Sequence, residues 1–218
     1  MAGGTGALGV AVVDELLRSG RRVWATWVAE AERGRLGGRE NLTLVRADLF
    51  DPDQAEAAVA AVEDLDAVVN LVGGFKSGPR IHETGPDDLD AMLRLNLRPA
   101  FLLARAALPR LAEREGAFVC VSARAALRPF AGGVTYATAK AAVLGFIKAL
   151  DAEWRATGVR CNAILPSVID TPANRAASPD ADHGTWVPPE EIAKVVRFLV
   201  SRDAAVTSGA AIPVYGRA

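Results

Sequence analysis

Apolar positions along this chain repeat in two rhythms that alternate. The run Val10-Ala-Val-Val-Asp-Glu-Leu-Leu-Arg18 repeats every three to four positions, which predicts an amphipathic helix stopped by Gly20. Residues 22–27 and 41–46 are short runs rich in Val, Leu, Thr and Trp, which predict strands. Residues 53–62 read as a helix, with Asp51 or Asp53 as its cap. Residues 66–72 form an apolar strand that runs into Gly73-Gly74. A helical stretch covers 86–114, and Pro99 kinks or splits it. Then come a strand at 116–121, an Ala-rich helix from 135 to Gly158, and a strand at 159–165 closed by Pro166. A last helix from Pro189 to about Val200 and a strand at 210–214 complete the pattern. Residues 28–40 receive no element.

Alternating strands and helices imply crossover connections, hence a parallel sheet covered on both faces. The predicted class is α/β: a Rossmann-like doubly wound parallel sheet in a single domain, residues 1–218. Such sheets bind ligands at the carboxyl ends of their strands. The glycine-rich opening, Asp48, Asn70, Gly73, Ser122, Pro166 and Thr171 all fall at those ends. Residues 170–189 carry Pro172, Pro179, Pro188 and Pro189 without clear periodicity, and read as a lid over the site. The opening Met-Ala-Gly-Gly-Thr-Gly-Ala-Leu-Gly9 leads into the first helix, where backbone N–H groups and the helix dipole favour a phosphate. Such a loop ordinarily follows a strand, and here Met1 stands where that strand would end. The expectation is a start upstream of Met1 or a trimmed terminus, with a native mass above 22.9 kDa.

Composition narrows the function. Half of the residues are hydrophobic, yet no apolar run reaches the roughly 18 residues of a membrane span. A net charge of −1 gives no electrostatic case for nucleic acid or an anionic membrane. No secretory signal pattern opens the chain. Cys120 and Cys161 lie in apolar runs and read as reduced core thiols. Two unclustered histidines make a metal site improbable. These features suit a cytoplasmic protein acting on a small molecule.

The candidate chemistry centres on residues 135–150. Tyr136 and Lys140 are four apart on a predicted helix and share one face. A free phenol titrates near about 10 and a lysine near about 10.4, and a cation beside a phenol favours the phenolate. That predicts a Tyr136 lowered toward working pH and able to give a proton to a carbonyl oxygen. The chain uses 21 Arg and only 4 Lys, so a lysine here escapes a strong bias. A compact ammonium differs from the planar guanidinium in fit and in proton exchange.

Taken in order, Gly3-Gly-Thr-Gly-Ala-Leu-Gly9, Ala47-Asp48-Leu49, Asn70-Leu-Val-Gly-Gly74, Asn96, Tyr136-x-x-x-Lys140, Pro166 through Thr171 and Ser208 through Val214 resemble the short-chain dehydrogenase/reductase family over essentially the whole chain. The resemblance implies an NAD(P)H-dependent oxidoreductase. Gly3, Thr5, Gly6, Ala7, Leu8 and Gly9 would hold the cofactor pyrophosphate. Trp27 would lie at the adenosine end, Asp48 and Leu49 would contact the adenine, and Asn70 and Gly73 would flank the ribose. Asn96 would organise a proton-relaying water, Lys140 would bond the nicotinamide ribose and polarise Tyr136, and Pro166, Val168 and Thr171 would place the carboxamide and phosphates. It also implies a homodimer or homotetramer paired through helices at 87–113 and 135–157.

Three departures from the family pattern stand out. The first strand is missing. The family serine, thirteen residues before the tyrosine, is replaced by Ala123, leaving Ser122 as a catalytic candidate only if the strand end shifts by one residue. The second strand ends at Trp27-Val28 with no acid to repel a 2′-phosphate, which leans the choice from NAD(H) to NADP(H), with Arg33 or Arg35 as phosphate partners. The stretches 123–127 and 165–188 are similar to the quinonoid dihydropteridine reductase branch, which also lacks the serine. A quinonoid substrate needs less carbonyl polarisation. The rival reading is a dinucleotide-binding sensor or scaffold without turnover.

Overall fold

The computed structural model describes residues 1–218. Its elements follow the predicted order: α1 (Ala7–Arg18), β1 (Val23–Trp27), α2 (Glu30–Arg33), β2 (Leu42–Arg46), α3 (Pro52–Ala60), β3 (Ala67–Asn70), α4 (Pro86–Asn96), α5 (Arg98–Ala112), β4 (Ala117–Val121), α6 (Val134–Trp154), β5 (Arg160–Pro166), α7 (Pro172–Ala177), α8 (Pro189–Val200) and β6 (Ala211–Val214). Three positions show why. Asp51 is the cap of α3, its carboxylate accepting from the N–H groups of Asp53 and Gln54. The stretch 86–114 is split at Leu97, because Pro99 has no N–H to close the preceding turn. Gly158, at φ 81°, ends the turn after α6 in the left-handed region.

All strand pairs are parallel, in two groups: β1–β2, and β3–β4–β5–β6. One face of the sheets is covered by α3, α5 and α6 around Phe118, Leu111 and Ile147. The other is covered by α1 and α8 around Val12, Ile192 and Leu199. This is the doubly wound single domain that the alternating pattern predicts.

The two groups of strands meet through Met1 and Ala2. The Ala2 N–H donates to Val69 O at 2.9 Å and the Leu71 N–H to Ala2 O at 3.0 Å, while the Thr26 N–H donates to Met1 O at 2.9 Å. Only these two residues lie between β1 and β3. Below them runs an apolar slot of about 90 Å³, lined by Val23, Trp24, Val45, Val59, Leu65 and Val68 among others. The Met1 amine points into it, donates to Trp24 O at 2.7 Å, and is pulled down to about 5 by burial. Arg21 and Asp66, at 2.7 Å, and Arg22 and Asp64, at 2.9 Å, pair across its far end.

Two stretches without predicted elements hold short ones. Residues 170–189 carry α7 and a 3-10 turn at His183–Thr185, and Ile169 bridges Val187. Residues 28–40 hold α2 and a 3-10 turn at Gly34–Leu36.

Candidate active site

The carboxyl edge of the sheet gathers most of the predicted residues. The glycine loop lies against the end of β3, since a Cβ on Gly3 would come within 3.1 Å of the Leu71 and Val72 backbone. Gly9 packs α1 onto this loop, where a Cβ would be 2.1 Å from Gly3 O, so only glycine fits. Gly6 opens α1 with no side-chain cap, leaving its first N–H groups free for an anion. A cleft of about 400 Å³ joins Ala7 to Thr171, Arg175 and Glu190. Thr171 caps α7, its hydroxyl oxygen accepting from the Asn174 N–H at 3.2 Å. Its own proton stays free to donate. The Val168 carbonyl accepts from the Val187 N–H at 2.9 Å.

Gly73 is the junction of the site. A Cβ there would lie 2.6 Å from Asn96 Oδ1 and 2.9 Å from Lys140 Nζ, so β3, α4 and α6 converge on a residue with no side chain. Asn96, 1% exposed, accepts from the Gly74 N–H at 3.1 Å and donates to Gly74 O at 3.2 Å and Met92 O at 3.1 Å. Both of its amide protons are thus spent on the protein, and its side chain fixes the loop after β3. Lys140 donates to Val121 O at 3.3 Å, and burial pulls it down to about 8. At pH 7 it still holds its proton.

The expected lowering of Tyr136 is absent in this arrangement. Its ring centroid is 5.9 Å from Lys140 Nζ, and burial pushes the phenol up to about 12. Burial is the cause, since a phenolate there would lose its hydration. Tyr136 is therefore a fully protonated donor at neutral pH.

Ser122 is not placed as a substrate-steadying hydroxyl. Its Oγ donates to Lys140 O at 2.8 Å and the residue is 2% exposed. One residue along a strand end turns a side chain to the other face, and Ala123 takes the cleft side, packed with Ala125, Ala137 and Tyr136. Ser122 instead steadies the helical turn that carries Lys140. Asn70 is closed in as well: it accepts from the Val72 N–H at 3.1 Å and is 2% exposed. The Leu49 side chain belongs to the core. Asp48 shapes a turn, accepting from the Phe50 N–H at 2.9 Å, while the other carboxylate oxygen has no partner.

The adenosine end corrects another expectation. Trp27 carries Arg33 and Arg46 over its ring, 5.4 and 5.8 Å from the centroid. Arg33 also pairs with Glu30 at 2.9 Å, and Arg35 donates to Thr5 O at 3.1 Å. An acid is present after all: Glu32 accepts from the Thr5 hydroxyl at 3.0 Å. The sequence reading missed it because α2 is four residues long. The acids that open Glu30-Ala-Glu-Arg33 and the base that closes it were the available signal. Phe75, edge-on to Tyr136, and Phe130, against Phe75, were missed too. Both cysteines are free and buried, pushed up to about 12 by desolvation. No group of three or more His, Cys, Asp or Glu side chains is placed to hold a metal ion, and no helix is long and apolar enough to cross a membrane.

A parallel sheet with a glycine loop, a buried lysine and a tyrosine at one edge defines the class of open α/β proteins that take ligands at their strand ends. A family model described as enoyl-(acyl carrier protein) reductase matches residues 3–216. The chain is 30% identical to a 2-(R)-hydroxypropyl-CoM dehydrogenase of Xanthobacter autotrophicus, covering 99% of this chain and 96% of the relative. It is 31% identical to a D-threitol dehydrogenase of Mycolicibacterium smegmatis, covering 99% and 90%. Its fold is similar to a blue fluorescent protein from a metagenomic library solved in complex with NADPH, at TM-score 0.86 and 28% identity, over 100% of this chain and 96% of the other. The chain belongs to the short-chain dehydrogenase/reductase superfamily of NAD(P)-dependent oxidoreductases.

Proposed function

We propose that this protein is an NAD(P)H-dependent reductase of a carbonyl or quinonoid small molecule, with Tyr136 as proton donor. The observation that carries the reading is the junction at Gly73. There the Lys140 ammonium and the Asn96 amide close on one backbone position, one helical turn from Tyr136. A dinucleotide suits the residues present: the uncapped start of α1 would take the pyrophosphate, the cleft beside it runs to Thr171, and Lys140 would bond a ribose hydroxyl. When bound, the nicotinamide supplies the hydride. Lys140 holds the ribose side and keeps a positive charge near the phenol. Tyr136 Oη gives its proton to the substrate oxygen, or to a ring heteroatom of a quinonoid, as the hydride is delivered, so the product is the alcohol or, from a quinonoid dihydropterin, the tetrahydropterin. The phenolate left behind is reprotonated from Lys140 or solvent. Asn96 holds the β3 loop at the junction, and Ser122 positions Lys140 through its carbonyl.

The arginines at Trp27 favour a 2′-phosphate and Glu32 opposes it, so the proposed cofactor is NADP(H), with NAD(H) accepted. A relative solved with NADPH supports this. A dihydropterin-like quinonoid substrate suits Ala123, because such a carbon takes hydride without a serine to polarise an oxygen. Pairing with a second copy is proposed through α5 and α6, where Phe101 is 52% exposed and 6.1 Å from Phe146. The cytoplasm is the proposed compartment, in keeping with two reduced core thiols.

The test is loss of absorbance at 340 nm with NADPH against quinonoid dihydropterin and a panel of ketones. Tyr136→Phe lowers turnover by at least about 10²-fold, the usual scale of acid catalysis; unchanged turnover would falsify the assignment. The Ser122 hydroxyl, turned away from the cleft, favours a second reading: a dinucleotide-binding sensor. Tight NADPH binding with no oxidation across the panel selects it.

A further inference from the structure

Two exposed phenylalanines lead up to the proposed proton donor, Phe75 against Tyr136 and Phe130 against Phe75. Phe75, in the loop after β3, presents its ring to Tyr136 edge-on, with centroids 5.0 Å apart and planes at 89°. Phe130, just before α6, lies 6.2 Å from Phe75 at 41°. Phe75 is 63% exposed and Phe130 46% exposed. Exposed rings of this size are a standing cost in water. Yet both loops are held: the Gly78 N–H donates to Gly132 O at 2.8 Å. The Phe130 ring folds back on Gly133, where a Cβ would come within 2.7 Å of it. Gly133 is also the residue from which α6 starts, so the rings and Tyr136 are fixed to one another.

We propose that Phe75 and Phe130 form an aromatic subsite, and that the group attached to the reacting carbon is a flat conjugated ring. The substrate class is then aryl or quinonoid carbonyl compounds in place of short aliphatic ones. This rests on the reading of Tyr136 as proton donor. The wall meets the Tyr136 ring through Phe75, which suits a small flat molecule. Aromatic rings favour offset and edge-on neighbours at the separations seen here. The apolar face at Phe101 and Phe146 is a separate surface: Phe146 is ten residues along α6 from Tyr136, about 15 Å at the rise of a helix.

The experiment compares acetophenone with cyclohexyl methyl ketone, two methyl ketones of one size that differ in flatness, on the full chain with NADPH. The read is the ratio of their kcat/KM values. Phe75→Leu and Phe130→Leu each lower the ratio of aromatic to saturated by about tenfold, through KM, the scale of one aromatic pair. Phe75→Tyr keeps the ratio, and so does Phe101→Leu. A second arm measures acetophenone binding to the NADPH-loaded Tyr136→Phe protein by saturation-transfer NMR, where adding Phe75→Leu weakens it about tenfold. If no ketone is reduced by the parent protein, the proposed reaction fails while the binding arm still decides the subsite. Unchanged ratio and unchanged binding in both leucine variants overturn the proposal. So does a dimer that dissociates on Phe75→Leu in size-exclusion chromatography, because the rings would then be a subunit contact.

Discussion

The four-stranded group β3–β6 and the two-stranded group β1–β2 carry different parts of the site. The first is paired strand by strand and packed on both faces. It delivers Gly73, Asn96, Tyr136 and Lys140. The second reaches it through two residues above an apolar slot. It delivers Trp27, Arg33 and Glu32. On the proposed function, proton chemistry is built on the solid group, and choice of dinucleotide on the loosely joined one. A protein can bear a weak seam when the groups that must hold sub-ångström geometry lie on one side of it.

The largest effect comes from closing the seam. Five alternating Val and Ala residues joined ahead of Met1 fill the slot between β1 and β3 and raise Tm by at least about 10 °C, while the same extension with two Asp gives no gain. Differential scanning calorimetry reads both.

Second is a pH effect specific to the seam. The Met1 amine has an ordinary value of 8.0 and is held near about 5 in the folded chain. Between these values the unfolded chain binds a proton that the folded chain has shed. Stability therefore rises with pH from about 5 to 8 and is lost as pH falls, by up to about 4 kcal/mol. Urea titrations at pH 5.5 and 8 measure it, and the five-residue extension, which converts the amine to an amide, should flatten it.

Third, the two groups differ in tolerance. Phe118, 0% exposed in β4, costs about 3–5 kcal/mol as Phe118→Ala. Leu44→Ala in β2, where the side chain is half-buried, costs about 1 kcal/mol. Equal losses in urea unfolding would mean that the halves are packed alike.

The smallest effect is at the adenosine end. Glu32→Gln removes the negative charge beside Thr5 and shifts the NADPH-to-NADH ratio of kcat/KM toward NADPH by about threefold. A shift toward NADH would put the ribose elsewhere.

Element order was legible because it depends on local rules. Periodicity marks α1 and α8, Pro99 splits 86–114, and Asp51 caps α3. What escaped depends on contacts far apart in the chain. Glu32 meets Thr5 across 27 residues, and nothing near either position reports the other. The direction of the Tyr136 shift escaped because spacing on a helix gives a shared face, but not how dry that face is. Ser122 was identified as a one-residue problem, and only packing decides which of two neighbouring side chains enters the cleft.

Gly73 has a consequence of its own. Any side chain at this position would press on the ends of both the Asn96 and the Lys140 side chains. One substitution there would reach the amide that holds the loop and the ammonium beside the phenol together. Redesign around the proposed proton donor would therefore have to leave this position bare.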